Sequence, residues 1–441
     1  MIVRRRLLTA LICLGITVSG VLSLLVGLTP SFASTWMCFY NGAASDIAAT
    51  KGIDEFVIVG NIEGNQVLGI DARGTVVWRH SFDSPVSPHK VVSSANGGLL
   101  VVGIIIGSQS TDLYLCHFDA QRQIVWEQTY GHEEDPAYYQ IIDPLVIPTA
   151  DGGFFVATFE IGKHRVGAWL MRLDSNGLLL WNVSSAESLA LYDIFPFALL
   201  ELTKREFALA GALYHDQDAL LLHIDQNGTV LWNHTYGGLA FDRISSMLQT
   251  SEGDFVLAGE TSSFGAGDTD AWLIRTDPEG APRWNRTYGG SKAEVISSLV
   301  QTFNGDFILA GHTDSFGAGD TDAWLIRTDP EGAPRWNQTY GGLNADYVST
   351  VLQAADGGFV LAGTTSSFGV GSSSAWVFKT DSLGQLSQTP DLAGLLMLTG
   401  WGMSLGGALG LGITIADRIL TSRKAKEHPP TNSEDTDSQV P

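Results

Sequence analysis

Residues 254–289 read DFVLAGETSSFGAGDTDAWLIRTDPEGAPRWNRTYG, and residues 306–341 repeat this stretch with four changes. The changes are Val256/Ile308, Glu260/His312, Ser262/Asp314 and Arg286/Gln338. An internal repeat of this length indicates a repeat architecture, in which one supersecondary unit is copied along the chain. The repeated stretch therefore identifies the unit from which the fold is built.

Weaker copies of the unit share a turn marker, Asp-x-x-Gly-x-x-x-Trp. It occurs at 71–78, 174–181, 225–232, 277–284 and 329–336, and the copy at 119–126 has Arg122 in place of glycine. Successive marker tryptophans are 48 to 55 residues apart. This period suits one four-stranded propeller blade.

Each unit contains four strand-like pieces, which in one copy are Arg243–Thr250, Phe255–Ala258, Ala271–Thr276 and Trp284–Tyr288. The second and third pieces are nearly continuous apolar runs, as expected for strands that are covered on both faces. The turns between the pieces contain Asp, Pro and Gly in the order that type I turns favour. The composition and the pattern both predict an all-β body.

The second and third pieces occur seven times, but the fourth occurs only six times after them, because Gln388 lies where a seventh tryptophan is expected. At the other end, Trp36–Gly42 has the Trp, Tyr and Gly spacing of Trp336–Gly342. We predict that Trp36–Tyr40 pairs with Ala375–Asp381 and closes a seven-bladed β-propeller. A left-over strand and an eight-bladed ring are the alternatives.

Two apolar segments flank the body at residues 35–391. Residues 1–34 contain Arg4–Arg6 and the apolar run Leu7–Leu28, and they are typical of a signal peptide or signal anchor. Leu392–Ala416 has no charged residue and is followed by positive charge, which predicts a transmembrane helix. The positive flanks place the body outside the cell membrane and the tail, residues 417–441, in the cytoplasm as a disordered segment.

The net charge limits the class of partner that the protein can bind. The net charge of -22 disfavours nucleic acid as a partner.

Cys13 lies in the first apolar segment, and Cys38 and Cys116 fall in units that are not neighbours, so we predict no disulfide and a core position for Cys116. Gly402, Gly406 and Gly410 recur every four residues, a spacing that could pair two transmembrane helices in a homodimer.

The marker resembles the tryptophan-docking repeat of pyrroloquinoline-quinone-type propellers, and the units are similar to repeats of secreted prokaryotic and archaeal surface proteins. This resemblance covers roughly residues 36 to 388 and implies a propeller fold. The chain has one residue fewer between Asp and Gly than the quinoprotein pattern, and it lacks the adjacent cysteine pair of many quinone-dependent dehydrogenases. The resemblance therefore implies the fold without implying the quinone.

The sequence contains no catalytic constellation: the histidines are scattered, and there is no nucleophile elbow or phosphate loop. The long loops carry the candidate ligand-binding residues Asp242, Asp268, Asp270, Glu294, Asp320, Asp322 and Asp346. Their carboxylates could bind calcium, or Asp270 and Asp322 could instead bond to the backbone of their own loops. Phe264, Phe316 and Phe368 lie in the same loops and are expected either to anchor them or to contact a partner.

Five asparagines begin Asn-x-Ser/Thr glycosylation sequons, namely Asn182, Asn227, Asn233, Asn285 and Asn337. Four of them directly follow a marker tryptophan, so strand alternation predicts that these asparagines face solvent.

These features predict a non-enzymatic, membrane-anchored extracellular module that uses its long loops to bind a protein, a glycan or a small ligand. No cofactor other than calcium is suggested by the sequence. A quinoprotein-like propeller enzyme and a structural scaffold in an envelope assembly are the alternatives.

Overall fold

A computed structural model describes residues 35–386, except 51–54, 83–84, 95, 108–109, 132–139, 163–164, 186, 203–204 and 370. This part of the chain is all-β, as predicted, and its helical content is one 3-10 turn, Leu189–Leu191. No helix within these ranges is long and apolar enough to cross a bilayer. The predicted signal and transmembrane segments, residues 1–34 and 392–416, and the tail, residues 417–441, lie outside the described residues.

The strands recur in units of four. The first strands of the units are β1 (Trp36–Ala49), β5 (Val86–Ser93), β9 (Gln140–Pro148), β13 (Ile194–Glu201), β17 (Asp242–Gln249), β21 (Glu294–Gln301) and β25 (Asp346–Gln353). The second strands are β2 (Glu55–Ile62), β6 (Leu99–Ile106), β10 (Phe154–Gly162), β14 (Phe207–Leu213), β18 (Phe255–Thr261), β22 (Phe307–Thr313) and β26 (Phe359–Thr365).

The third strands are β3 (Gln66–Asp71), β7 (Thr111–Phe118), β11 (Arg165–Leu173), β15 (Ala219–Ile224), β19 (Asp270–Thr276), β23 (Asp322–Thr328) and β27 (Ser374–Thr380). The fourth strands are β4 (Val76–Ser81), β8 (Ile124–Tyr130), β12 (Leu179–Val183), β16 (Val230–Tyr236), β20 (Pro282–Tyr288) and β24 (Pro334–Tyr340). Five units form separate antiparallel four-stranded sheets, and the remaining strands form one sheet in the order β25-β26-β27-β1-β2-β3-β4.

The repeated sheets give a propeller-like fold in which the core lies between neighbouring units. Second and third strands such as β18 and β23 are buried along almost their whole length, which explains their continuous apolar sequence. Each hydrophobic cluster joins residues of two successive units. One cluster packs Val360 and Val377 of the last unit against Phe56 and Ile58 of the first.

The predicted pairing of the N-terminal strand is confirmed. Strand β1 pairs antiparallel with β27, with Trp36 opposite Lys379 and Tyr40 opposite Ala375. From Gly42 onwards the same strand pairs with β2, so β1 belongs to the last unit and the first unit at once. Cys38 and Cys116 are free, and Cys116 is buried in the core, as the sequence predicts.

The turn marker forms a packing contact between neighbouring units. The marker glycine of each turn lies under the tryptophan of the preceding unit, and a Cβ at Gly332 would come within 2.9 Å of Trp284. Trp36 takes the same position in the last unit: it lies over Gly74 and donates its indole N–H to Ala72 O at 2.8 Å. The glycines adopt positive φ, which favours glycine and leaves room for the ring.

Arg122 replaces the glycine in one turn without loss of the interaction. It also has a positive φ, 65°, and its guanidinium lies 5.9 Å from the ring centroid of Trp78. Its Nη2 is 2.6 Å from Glu55 Oε2, and both side chains are largely buried. An ion pair and a cation–π contact thus take the place of glycine packing in this unit.

Candidate functional site

One face of the fold carries the longer connections, because the link after each second strand and the link after each fourth strand emerge on the same side of an up-and-down sheet. We call it the long-loop face. In the last four units its described segments are residues 214–218, 237–241, 262–269, 289–293, 314–321, 341–345, 366–369 and 371–373. The opposite face carries only short turns such as residues 250–254 and 277–281.

Three of the predicted carboxylates open the first strands and are fully buried. Asp242, Glu294 and Asp346 accept hydrogen bonds from the backbone N–H groups of Gly238, Gly290 and Gly342 at 2.8 to 2.9 Å. Each also accepts a bond from a threonine hydroxyl of the second strand. These carboxylates hold the connection between two units, and the structure does not expose them to a ligand.

Asp270 and Asp322 open the third strands and are also buried. Gly267 N–H donates to Asp270 Oδ2 at 2.9 Å, and Ala318 and Gly319 N–H donate to Asp322 Oδ2 at 2.9 and 3.0 Å. The local backbone bonding considered from the sequence is therefore present. Asp268 and Asp320 are exposed on the loops. Within the described ranges no group of three or more His, Cys, Asp or Glu is placed to hold a metal ion.

Asp322 and Asp346 approach the same glycine, Gly341, from two neighbouring units. Burial raises the pKa of Asp322, the backbone N–H groups of Gly319 and Ala318 oppose this, and the charge of Asp346 adds to the rise. A carboxyl whose pKa is raised on folding adds stability below its unfolded pKa and loses that contribution as the pH rises through the folded pKa. At neutral pH this pair is therefore a site of repulsion.

We expect Asp322→Asn to raise the melting temperature at neutral pH by roughly 1–2 °C, because the amide keeps an acceptor oxygen for the loop and can donate to Asp346. The gain should vanish at acidic pH, where Asp322 is protonated in the wild type. Melting curves at both pH values, with and without millimolar calcium, test this. A calcium-dependent rise that Asp322→Asn abolishes would contradict the anchoring role.

Apolar side chains project from the long-loop face. Phe264, Phe316 and Phe368 are 46%, 43% and 40% exposed, and each ring rests on a buried tryptophan of its own unit. Leu239 and Leu343 are almost fully exposed on the neighbouring connections. The five residues form what we call the apolar ridge. Each phenylalanine therefore packs on its own unit, as considered from the sequence, and leaves part of its ring exposed, whereas contact with a partner stays a prediction.

A cavity of about 200 Å³ lies where the first strands meet, and every first strand contributes to its lining. We call it the axial cavity. One wall is hydroxyl-rich and contains Ser245, Ser246, Ser297, Ser298, Ser349 and Thr350. The opposite wall is apolar and contains Leu145, Val146, Ile147, Phe197 and Leu199.

Asp46 is the acidic residue that lines the axial cavity. It accepts a hydrogen bond from Val91 N–H at 3.1 Å and lies 3.9 Å from Lys90 Nζ. Burial raises the pKa of Asp46, and Lys90 opposes the rise. Ser246 and Ser298 make the equivalent bonds to Leu299 and Val351 N–H. These bonds tie β1 to β5, β17 to β21 and β21 to β25.

At the long-loop end of the axial cavity, charged and aromatic side chains converge. Arg243 Nη2 lies 2.9 Å from Glu260 Oε1, and its guanidinium lies 4.7 Å from the ring centroid of Phe197. His312 and Tyr347 form an edge-to-face pair with centroids 4.9 Å apart. Glu260 lies opposite Arg243 across the strand pair, and His312 lies opposite Val295 at the equivalent position of the next unit. We call Phe197, Arg243, Glu260, His312 and Tyr347 the mouth cluster.

The predicted glycosylation asparagines are all exposed, and for the four that follow a marker tryptophan this agrees with strand alternation. Asn182 and Asn337 accept hydrogen bonds through Oδ1 from Trp169 and Trp324 Nε1 at 3.3 Å. The marker tryptophans beside them are only half-buried, and the fully buried tryptophans are those of the third strands. Glycosylation of the asparagines stays a prediction.

The outer wall has an apolar row of its own. Each fourth strand contains a β-bulge at the residue before its tryptophan, and this residue points outward. In the first four units it is apolar and at least half exposed, namely Val77, Val125, Leu180 and Leu231. In the next two units it is Arg283 or Arg335, which turns back to a buried aspartate.

Comparisons with known proteins describe the fold alone. No family model matches the chain, and no curated protein matches it. Among solved structures, hydrazine synthase of Kuenenia stuttgartiensis is similar, with a TM-score of 0.50 and 11% identity over 72% of this chain and 92% of that chain. Sqt1 of Chaetomium thermophilum has a TM-score of 0.45 and 10% identity over 78% and 97% of the two chains. A protein of unknown function from Bacteroides caccae has a TM-score of 0.40 and 13% identity over 70% and 94%.

Proposed function

We propose that the protein is a non-enzymatic, membrane-anchored extracellular binding module whose body is a closed seven-bladed β-propeller. Seven first strands around one cavity and the packing of the last unit on the first support the closed ring. The apolar segments Leu7–Leu28 and Leu392–Ala416, with their positive flanks, support the anchoring and the orientation. The tryptophan-docking turns support a relationship to quinoprotein-like propeller repeats.

The apolar ridge carries the binding proposal. Large apolar side chains exposed on one face of a soluble protein can mark the surface that meets a partner. The ridge lies on loops that are pinned by buried carboxylates, so its side chains are presented at fixed positions and little ordering is needed on binding. A protein partner with an apolar surface fits this face.

A structural scaffold is the second candidate, and the apolar row of the outer wall is the observation that favours it. Val77, Val125, Leu180 and Leu231 lie on edge strands, where another protein could pack against the wall. The two candidates differ in which surface is covered in the cell.

Photo-crosslinking in intact cells that display the full-length chain separates them. We expect a benzoylphenylalanine at position 316, on the apolar ridge, to give an adduct of discrete mass. Phe264→Ser combined with Phe368→Ser should remove at least about 90% of that adduct, because flanking apolar contacts hold the partner. Arg73 is exposed on the short-turn face, so a crosslinker there is the matched control and should give no adduct.

Each other outcome counts against the binding module. A further crosslinker at position 231 lies on the apolar row of the outer wall. Adducts from that position alone would favour the scaffold. Equal adducts from positions 73 and 316 would reveal nonspecific contact, and no adduct at 316 would overturn the proposal.

A further inference from the structure

The mouth cluster consists of Phe197, Arg243, Glu260, His312 and Tyr347, which come from four successive units. Arg243 is held by Glu260 on one side and by the ring of Phe197 on the other. Its side chain is 26% exposed, so part of the guanidinium is accessible. Tyr347 is 39% exposed, so part of its ring is accessible to solvent. The cluster therefore places accessible hydrogen-bonding groups near a partly exposed aromatic ring.

The near-identical repeats differ where this cluster lies. Of their four differences, Val256/Ile308 is a conservative core change, and Ser262 and Asp314 both bond to the threonine seven residues later. Arg286/Gln338 falls on the fourth strand. Glu260/His312 instead exchanges two groups of different chemistry at the mouth of the axial cavity. A structural role shared by both units would not need this asymmetry, whereas a ligand that meets two different groups would.

The charges of the mouth cluster limit the charge of a ligand that it could bind. The guanidinium of Arg243 and the carboxylate of Glu260 neutralise each other at 2.9 Å. Burial lowers the pKa of His312, although Asp314 opposes this, so burial favours the neutral imidazole. A charged ligand would have to break the ion pair, but a neutral ligand could bond to both partners. Arg243 and Tyr347 can donate, Glu260 can accept, and neutral His312 can do either.

The size of the axial cavity limits the ligand further. Its volume of about 200 Å³ equals that of roughly six waters and is below the usual range for drug-sized ligands. Ser245 and Ser349 follow Arg243 and Tyr347 two residues later on the same strands and line the cavity below the mouth. A hydroxyl-rich wall of this size suits one small ring that carries several hydroxyl groups.

We propose that the mouth cluster binds a single neutral sugar residue at the end of a glycan, with its hydroxyls on Arg243 and Glu260 and its ring against Tyr347. This inference rests on the proposed binding function, because it names a ligand for the same face. It uses residues other than the apolar ridge, so the two proposals can fail separately.

Saturation-transfer NMR on the full-length chain, in a detergent without a sugar headgroup, tests the proposal. The probes are the methyl glycosides of glucose, galactose, mannose and N-acetylglucosamine at millimolar concentration. We expect at least one to bind, and we expect Tyr347→Ala to weaken that binding by roughly tenfold or more through loss of the stacking face.

The two near-identical repeats supply two test variants that should keep the fold. Glu260→His and His312→Glu each introduce the side chain that the equivalent position of the other repeat already accommodates, so the fold should tolerate both. If the cluster binds a sugar, either exchange should also weaken binding by roughly tenfold. The ridge variant Phe264→Ser with Phe368→Ser should leave sugar binding unchanged.

Absence of binding by all four glycosides would overturn the inference, and so would affinities unaltered by both exchanges. The crosslink from position 316 reports on the protein partner independently. Its persistence in the Tyr347→Ala chain would show that failure of the sugar site leaves the binding module intact.

Discussion

Removal of residues 35–41 is expected to make the chain associate further than the full-length chain does and melt at a much lower temperature. These residues supply the strand that completes the last unit, and Trp36–Asn41 pair with Lys379–Ser374 along their whole length. Without them β27 presents an unpaired edge, and such edges recruit strands from other chains. Light scattering and thermal melting of the full-length and shortened chains provide the measurements.

A single substitution tests the same contact more finely. Trp36→Ala removes the indole hydrogen bond to Ala72 O and the packing over Gly74, and should cost about 3 kcal/mol because the ring is partly buried. The neighbouring Met37 points outward and is 37% exposed, so Met37→Ala should cost about 0.5 kcal/mol or less. Equal losses from the two variants, or a shortened chain with unchanged association and an unchanged melting temperature, would contradict the closure.

The fold could be predicted because its rules repeat in the sequence. Seven second strands, six fourth strands and the match of Trp36–Gly42 to Trp336–Gly342 were enough to infer which strands pair. The reason for the marker could not be predicted, since the glycine of one unit makes room for the tryptophan of another. Arg122 illustrates this limit: its ion pair with Glu55 joins positions 67 residues apart, and no local pattern indicates it.

The sequence drew attention to other residues than those of the mouth cluster, and for a physical reason. Recurrence at the blade period drew attention to Asp242, Glu294 and Asp346, but recurrence also marks a structural role, and all three anchor loops. The residues of the mouth cluster do not recur at the blade period. Arg243 and Tyr347 occupy equivalent positions on β17 and β25 with unrelated side chains, and Glu260/His312 is a difference between near-identical repeats. Departures from the repeat were the signal that could have found this cluster.

Substitution of Asp254 by alanine is expected to destabilise the protein by about 3 kcal/mol, although Asp254 lies far from either proposed binding surface. Asp254 is almost fully buried, and its Oδ2 lies 2.8 Å from Arg275 Nε and 2.9 Å from Arg283 Nε. Alanine would leave Arg275, whose side chain is only 14% exposed, without its buried partner. Asp306 makes the same contacts with Arg327 and Arg335, so Asp306→Ala should cost the same.

Glu252→Ala is the matched control, because Glu252 also contacts Arg275 but its side chain is 73% exposed. Its loss should cost about 0.5 kcal/mol or less, as for exposed ion pairs in general.

Burial alone would raise the pKa of Asp254, but hydrogen bonds from Arg283 and Arg275 outweigh burial and hold the pKa below its ordinary value. A depressed carboxyl pKa adds stability above the unfolded pKa and loses it as the pH falls through the folded pKa. The difference in melting temperature between the wild type and Asp254→Ala should therefore be full at neutral pH and shrink in strong acid. A difference that does not change with pH would mean that Asp254 stabilises the unit by packing and not by charge.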